Sequence, residues 1–332
     1  MQTSITKIQE KIFSKDNFNF DSVALELFNF QYTYNLVYKQ FVDYLKINVA
    51  DVQTVQQIPF LPIEFFKTHP IIIENVATQK IFESSGTTGQ TTSKHLVADL
   101  NLYEESFEKG FQQFYGNIED WTILALLPSY LERDTSSLVY MVDDLIKKSK
   151  DEHSGFYLNN LNELAAKIDE IKINNSKLLL IGVTFALLDF AEQFPMDLSD
   201  VIIMETGGMK GRREELTREE VHGILTKTFN VKTIHSEYGM TELLSQGYSK
   251  GNGIFEVPRW MKIMKRDIYD PFNVSANAGR GGLNVIDLAN IYSCAFIATQ
   301  DLVNIISDTE FEVLGRIDNS DIRGCNLMVS SL

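Results

Sequence analysis

Short apolar runs alternate with longer amphipathic segments along most of the chain, and this alternation restricts the fold more than any other feature of the sequence. A run such as Lys177–Val183 has the length and the aliphatic content of a buried strand, whereas Asn160–Asn174 repeats its apolar residues at helical spacing. Strands that alternate with helices are typical of an α/β fold with substantial parallel sheet. The predicted strands are Thr122–Leu127, Lys177–Val183, Val201–Met204, Val231–His235, Leu283–Leu288 and Ala295–Ala298, and the predicted helices are Ser136–Lys150, Asn160–Asn174 and Arg213–Thr228.

The first part of the chain has a different pattern. Residues 5–52 place most of their apolar side chains at helical spacing and carry a stripe of Phe and Tyr that we expect in the core. The two prolines of Ile58–Ile63 exclude an uninterrupted helix there, because each one removes a backbone donor and restricts the residue before it. We expect a helical segment at residues 1–70 packed on the main domain, a core domain at 71–314 and a short C-terminal segment at 315–332.

Charge and cysteine content narrow the range of functions. The chain has 30 Lys and Arg against 45 Asp and Glu, and the resulting net charge of −15 disfavours a nucleic-acid partner. Two cysteines cannot form a disulfide framework, and no CxxC or HExxH spacing indicates zinc. The N-terminus lacks the pattern of a signal peptide, and the most apolar stretch, Leu178–Phe190, is too short to span a membrane. We therefore expect a cytoplasmic protein with no membrane span.

A string rich in Ser, Thr and Gly at residues 84–93 is the first candidate binding loop. Its seven hydroxyl side chains and its main-chain amides can donate hydrogen bonds to phosphate oxygens, and its glycines let the backbone approach a ligand closely. The chain has neither a Walker A pattern nor a GxGxxG pattern. On this string alone, a phosphate-binding loop and a flexible surface turn are both open. The candidate residues are Ser84, Ser85, Gly86, Thr87, Thr88 and Gly89.

Two further strings follow predicted strands, where α/β sheets bind their ligands. In the first, Tyr238 can pack on a base, Thr241 can bond a phosphate, and Glu242 can hold Mg²⁺, which prefers oxygen ligands. In the second, Asp301 can accept hydrogen bonds from both hydroxyls of a ribose. The first string by itself is also compatible with an ordinary strand-to-helix turn.

Histidines and cysteines give less guidance. Cys325, near the chain end, has Arg323 two residues before it, and a nearby guanidinium can stabilise a thiolate. Cys294 lies in an apolar run and is expected in the core. His235 ends a predicted strand, and we expect a structural role for it. The four histidines expected at the surface are His69, His95, His153 and His222.

Taken in chain order, these three strings and a fourth, Gly315–Asp318, resemble the successive core motifs of the adenylate-forming superfamily. Within that superfamily the chain is similar to the acyl-protein synthetases, which activate fatty acids in bacterial luminescence systems, and to the related phenylacetate–CoA ligases. The four strings are Ser84–Gly89, Tyr238–Glu242, Thr299–Asp301 and Gly315–Asp318, and the narrower resemblance rests also on Ile58–Lys67 and Thr206–Lys210.

This resemblance implies a large adenylation domain at residues 71–314 that uses ATP and Mg²⁺ to convert a carboxylic acid, a long-chain fatty acid in the synthetases, into an acyl-adenylate. An aryl acid is also open. The Ser84–Gly89 loop would hold the β- and γ-phosphates. Thr241 and Glu242 would contact the α-phosphate and Mg²⁺, Asp301 would contact the ribose, and Arg316 would contact the ribose or a phosphate. The residues that would border the adenine are Gly207, Gly208, Ser236, Glu237 and Tyr238.

The chain departs from the common pattern at its end. Most families of this resemblance continue past the Gly-Arg-x-Asp motif into a mobile cap with a catalytic lysine, so residues 315–332 would be a short remnant and the cap is expected to be absent or vestigial. The acyl-protein synthetases are likewise short, and they have a cysteine near the C-terminus that accepts the acyl group. Cys325 is the matching residue, although a buried, inert cysteine is the alternative.

Three functions are therefore open. The first is activation of an acid with transfer of the acyl group to a thiol, either Cys325 or a thiol on a partner. The second is an acid–CoA or acyl carrier protein ligase whose cap is supplied in trans. The third is a non-catalytic nucleotide-binding partner subunit. The resemblance to luminescence systems also implies a reductase partner that collects the acyl group.

Overall fold

A computed structural model describes residues 1–14, 18–85, 91–128, 133–173, 177–207 and 216–317. The helices of these ranges are α1 (Gln2–Phe13), α2 (Phe20–Tyr34), α3 (Leu36–Tyr44), α4 (Phe65–Thr68), α5 (Leu100–Tyr115), α6 (Ser137–Ser149), α7 (Leu161–Ile173), α8 (Thr184–Gln193) and α9 (Arg218–Phe229). The strands are β1 (Leu61–Pro62), β2 (Lys80–Glu83), β3 (Lys94–Val97), β4 (Trp121–Leu126), β5 (Gly155–Phe156), β6 (Lys177–Val183), β7 (Val201–Thr206), β8 (His235–Tyr238), β9 (Gly247–Ser249), β10 (Ile254–Glu256), β11 (Met261–Arg266), β12 (Val274–Ser275), β13 (Gly279–Asp287), β14 (Phe296–Ile305) and β15 (Glu310–Arg316).

Most of the described strands belong to one large mixed sheet. Its order is β12-β11-β13-β14-β15-β10-β9-β8-β7-β6-β4-β5, with β1 paired beside β14. The half from β8 to β5 is parallel, and helices connect its strands. The pairing becomes antiparallel at β8 and β9 and stays so along the rest of this order, whereas the short β1 pairs in parallel with β14. Strands β2 and β3 form a separate hairpin. The predicted α/β fold with substantial parallel sheet is confirmed, and the antiparallel half is an addition to it.

Strand predictions succeed where a strand is apolar on both faces. The prediction of Lys177–Val183 matches β6, which is buried at every residue after the first, as expected for the interior of a parallel sheet. The prediction of Val231–His235 is wrong, because the observed strand, β8, begins at His235. Val231 and Ile234 are buried without being part of a strand. An apolar run reports burial, and burial alone does not fix the backbone conformation.

The three N-terminal helices pack on the antiparallel half of the sheet. Two buried amide side chains join the helices to the loop before β14: Gln31 donates to the carbonyl of Asn290 over 2.8 Å, and Asn35 donates to that of Ser293 over 3.0 Å. The rings of Phe28 and Tyr38 contact Phe296 of β14 at centroid distances of 6.2 and 6.0 Å. This part of the aromatic stripe belongs to the core, as the sequence predicts, whereas Tyr44 at the end of the stripe is 85% exposed and the expectation is wrong for it.

The proline-containing connector is held against the sheet. Strand β1 pairs in parallel with β14, with Leu61 opposite Ile297, and the hydroxyl of Tyr38 donates to the carbonyl of Pro59 over 2.7 Å. The short helix α4 follows at once, so the connector fixes where the side chain of Lys67 lies.

Two further expectations concern the interior and the membrane. Cys294 is fully buried, and burial raises the pKa of its thiol to about 12, as expected for a core cysteine. Among the residues that the structure describes, none of the helices is long and apolar enough to cross a bilayer.

The close approach of β4, β6 and α8 at Gly182 gives a prediction about stability. A Cβ atom at Gly182 would lie 2.8 Å from Cβ of Leu126 and 3.0 Å from Cγ of Leu187. We expect Gly182→Ala to lower the free energy of unfolding by about 1–3 kcal/mol, because a Cβ atom of the neighbouring strand cannot move aside cheaply. Urea denaturation followed by circular dichroism measures the change.

Gly223 of α9 provides the matched control, since a Cβ atom there would meet nothing within 4 Å. We expect Gly223→Ala to raise stability by up to about 1 kcal/mol through helix propensity. Equal effects of the two substitutions would contradict the packing described for Gly182.

Candidate functional site

A cleft of about 560 Å³ opens where β7 and β8 end at the centre of the sheet. Ligands of open α/β sheets bind at this position, beyond the carboxyl ends of the strands. Ten of the residues proposed from sequence line the cleft: Ser84, Ser85, Gly207, Ser236, Glu237, Tyr238, Thr241, Glu242, Asp301 and Arg316. The other six, Gly86, Thr87, Thr88, Gly89, Gly208 and Cys325, lie outside the described residues.

The hairpin of β2 and β3 brings the two described ends of the candidate phosphate loop, Ser84–Ser85 and Thr91–Ser93, to this cleft. The backbone amide of Ser84 donates to the carbonyl of Ser93 over 3.1 Å, and the amide of Ser93 donates to Oγ of Ser84 over 2.9 Å. These two bonds close the base of the loop. Lys94 forms an ion pair with Glu83 of 3.5 Å, so its ammonium is directed to the hairpin stem.

Tyr238 and Asp301 join β8 to β14 across the cleft. The Tyr238 hydroxyl donates to Oδ2 of Asp301 over 2.7 Å, and Nε of Arg316 lies 3.7 Å from Oδ1. Burial raises the pKa of the Asp301 carboxyl, while the Tyr238 hydrogen bond and the positive charge of Arg316 act against this rise. The group is an acceptor at the edge of the cleft, which suits the hydroxyls of a ribose.

Glu242 is a buried carboxyl group on the loop after β8. Burial raises its pKa, whereas a hydrogen bond from Ser93 and the charges of Lys67 and Arg316 act to lower it. Within the described ranges, no three His, Cys, Asp or Glu side chains come together as a preformed metal site. Magnesium in nucleotide sites is commonly held by one or two carboxylates together with the substrate phosphates, so a single carboxylate next to a phosphate loop fits that requirement.

His95 supports the loop that carries Thr241 and Glu242. Its Nδ1 lies 2.8 Å from the carbonyl oxygen of Thr241 and its Nε2 lies 3.1 Å from Oδ1 of Asn290, whose amide donates to the carbonyl of Glu242 over 2.8 Å. The expectation that His95 is at the surface is wrong: only 1% of it is exposed, and burial lowers its pKa to about 4. The neighbours that bury it come from distant parts of the chain, which the sequence around it does not reveal.

A second buried carboxyl group, that of Glu205 at the end of β7, was not found from the sequence. It accepts hydrogen bonds from the hydroxyls of Thr184 and Ser236, both over 3.0 Å, and lies 3.2 Å from Nε2 of His222 and 3.6 Å from Nε of Arg218. Burial acts to raise the pKa of Glu205, but these hydrogen bonds and charges outweigh it and the pKa is lowered. The expectation that His222 is at the surface is wrong, since it packs against this carboxylate.

Register places the residues of β7 and β8 on two different faces of the sheet. Glu205 is paired with Ser236, and Thr206 is paired with Glu237. Because side chains alternate along a strand, Ser236 and Tyr238 share the face of Glu205, whereas Glu237 lies on the opposite face with Thr206. The Thr206 hydroxyl donates to Oε2 of Glu237 over 2.5 Å, and burial raises the pKa of this carboxyl to about 7.

The cleft mouth contains polar residues that sequence reasoning missed. Lys67 of α4 is exposed at the mouth, and Gln300 donates to Oε1 of Glu64 and accepts from Nη2 of Arg316 over 3.2 Å. Two strings that the sequence resemblance uses point to this region, since Lys67 belongs to Ile58–Lys67 and Gln300 belongs to Thr299–Asp301.

Solved structures with a similar fold belong to acid–CoA ligases. A 2-hydroxyisobutyryl-CoA ligase in complex with 2-HIB-AMP and CoA matches with a TM-score of 0.63 and 11% identity over 90% of this chain and 68% of that one. An open conformation of the same ligase matches at 0.61 and 10% over 90% and 75%. An O-succinylbenzoate coenzyme A synthetase from Bacillus subtilis in complex with AMP matches at 0.50 and 16% over 74% and 50%.

The chain therefore has the fold of these ligases. It spans half the length of the Bacillus subtilis synthetase and between two thirds and three quarters of the two 2-hydroxyisobutyryl-CoA ligase chains. No family model matches it, and no curated protein is significantly similar to it in sequence. The narrower resemblance to acyl-protein synthetases stays a prediction.

The raised pKa of Glu237 predicts a pH effect on stability. The unfolded chain releases this proton near pH 4.5, whereas the folded chain holds it to about pH 7. Stability relative to Glu237→Gln should therefore fall as the pH rises from 4.5 to 7, by at most about 3 kcal/mol because Glu237 is only partly buried. Urea denaturation of both proteins across this range measures the difference, and parallel profiles would show that the carboxyl is not desolvated.

Proposed function

We propose that this protein activates a carboxylic acid with ATP to form an acyl-adenylate and then passes the acyl group to a thiol. One observation carries the proposal: ten residues chosen from five separate segments of the sequence line a single cleft. The fold supports it, because the matched structures include ligases bound to an acyl-AMP or to AMP.

In the first step an oxygen of the acid attacks the α-phosphorus of ATP. The new oxygen–phosphorus bond forms as the bond to the bridging oxygen of the β-phosphate breaks, and pyrophosphate leaves with no net proton transfer. The step needs positioning and neutralisation of charge more than a proton donor or acceptor. Glu242 would hold a magnesium ion, which neutralises phosphate charge when bound. The described cations that line the cleft are Lys67, Arg133, Arg218 and Arg316.

Other residues would hold the nucleotide. Asp301 would accept from the ribose, and Tyr238, whose ring packs edge-on against Phe255 and Phe311 at 5.8 and 5.2 Å, would border the adenine. Ser84 and Ser85 begin the loop that would hold the β- and γ-phosphates. Thr241, kept in place through the bond between its carbonyl oxygen and His95, would bond the α-phosphate.

In the second step a thiolate attacks the carbonyl carbon of the adenylate, the carbon–oxygen bond to AMP breaks, and a thioester forms. We propose Cys325 or a thiol on a partner as the acceptor. A CoA or acyl carrier protein thiol is the second candidate, because one of the matched ligases is bound to CoA. A reductase would be the partner that collects the acyl group from a luminescence-type synthetase.

Exchange of radiolabelled pyrophosphate into ATP tests the first step. We expect exchange that depends on an added acid, in a panel of short, medium and long fatty acids and aryl acids. Glu242→Gln should lower the exchange rate about a hundredfold or more, because the amide keeps the shape of the side chain and removes the charge that holds the metal.

Glu119→Gln is the control for this experiment, because Glu119 is an exposed carboxylate paired with Lys150 outside the cleft. Its exchange rate should equal that of the wild type. Binding of ATP without exchange for any acid would instead support a non-catalytic nucleotide-binding subunit.

Intact-mass spectrometry after incubation with ATP and the active acid tests the acceptor. We expect a mass increase equal to one molecule of the acid minus one water on the wild type and none on Cys325→Ser, while acid-dependent exchange persists in the variant. An unmodified wild type whose turnover requires added CoA or carrier protein would identify the ligase alternative.

A further inference from the structure

The cleft extends past the ends of β7 and β8 to a second wall that the nucleotide contacts proposed above do not use, although the sequence resemblance implies that Glu237, one of its residues, borders the adenine. The part of the cleft along this wall is called here the inner chamber. It is lined by Tyr103 of α5, Met141 of α6, Thr206, Glu237 and Gln246. It lies on the face of the sheet that carries Thr206 and Glu237, opposite to the face of Glu205, Ser236 and Tyr238. A ligand that spans the strand ends would thus have its nucleotide on one face and its other end on this one.

Two oxygen atoms in the inner chamber have unused capacity to accept hydrogen bonds. Gln246 is 6% exposed, and its Oε1 is buried and has no partner among the described residues. The Glu237 carboxylate has a hydrogen bond from Thr206 at Oε2. Its Oε1 lies 2.4 Å from the position that a Cβ atom would take at Gly239, and Cγ of Gln246 lies 3.5 Å from the same point. Oε1 of Glu237 and the side chain of Gln246 therefore border the same small volume beside Gly239.

The surroundings of Glu237 leave its charge without a counterion in the described structure. Burial comes first among the causes that set its pKa, and the Thr206 hydroxyl is the group that acts against it. Three tyrosine hydroxyls are also near it. Burial raises the pKa values of Tyr103, Tyr115 and Tyr248, and the charge of Glu237 raises them further. An acceptor held in such a place is suited to a donor that arrives with a ligand.

We propose that the acid activated by this protein carries a hydroxyl or amino group, and that this group donates hydrogen bonds to Glu237 and Gln246 in the inner chamber. This inference rests on the proposed acid-activating function and narrows its substrate class. An unsubstituted alkyl chain would cover both oxygens and leave them without a partner or water. A site built to hydrogen-bond a substrate group rejects the analogue that lacks it.

Binding of stable adenylate analogues to the full chain tests this inference without the second half-reaction. The probes are sulfamoyladenosine and its N-acyl derivatives in matched sets: butanoyl, hydroxybutanoyl and aminobutanoyl chains substituted at each carbon, together with hexadecanoyl and its terminal hydroxy form. Calorimetry gives each Kd. We expect at least one donor-bearing derivative to bind about tenfold or more tightly than its unsubstituted counterpart.

Three variants assign that preference to residues, with the ratio of the two Kd values as the readout. Glu237→Leu and Gln246→Leu should each bring the ratio close to one. Glu237→Gln keeps the shape and one acceptor oxygen, so it should retain part of the preference and guards against loss of folding. Glu119→Gln, outside the cleft, should keep the wild-type ratio.

The outcomes separate this inference from the proposed function. Failure of sulfamoyladenosine itself to bind would remove the proposed function. Binding of the adenosine part with equal affinity for substituted and plain chains would overturn the inference alone. Weaker binding of sulfamoyladenosine itself to Glu237→Leu, with no change in the ratio, would assign Glu237 to the nucleotide and also overturn the inference.

Discussion

The cleft depends on one reversal in the sheet. Strands β4, β6, β7 and β8 run parallel, so their carboxyl ends meet at one edge, and β9 then pairs antiparallel with β8. The turn between these two strands contains Thr241 and Glu242, and the hydrogen bond from Tyr238 to Asp301 joins the parallel half to β14 of the antiparallel half. This change of strand direction brings the loops that bear polar groups close together, and the connector and helices pack around the sheet at this point.

Four carboxyl groups in the cleft differ in how far neighbouring groups compensate their negative charge. Glu205 is paired with His222 and Arg218, which makes it a structural anion beneath the strand ends. Asp301 is partly compensated by Tyr238 and Arg316. Glu242 has cations nearby, whereas the carboxyl of Glu237 has one hydroxyl donor and a raised pKa. Full compensation favours rigidity, and incomplete compensation leaves a group able to bind a cation or a donor.

A chain with a net charge of −15 has to collect positive charge locally in order to bind a polyphosphate. Four described cations line the cleft beside six carboxyl groups, and three of the four come from separated segments: Arg133 precedes α6, Arg218 begins α9, and Arg316 ends β15. Arg218 is held rigidly, since its guanidinium lies over the Phe255 ring at 5.1 Å and donates to the carbonyl of Val313. Positive charge fixed in this way costs little reorganisation when a phosphate arrives.

The sequence by itself determined the α/β class, the apolar strand β6, the aromatic core and the four strings that contribute to the cleft, because periodicity and turn chemistry are properties of neighbouring residues. Only the tertiary structure decided the rest. The antiparallel half, the start of β8 at His235, the burial of His95 and the anion network of Glu205 all depend on partners far away in the chain. Ser236 and Glu237 lie on opposite faces of the sheet for the same reason. The register of β8 with β7 decides which face each side chain is on, and the string His235–Glu242 by itself does not.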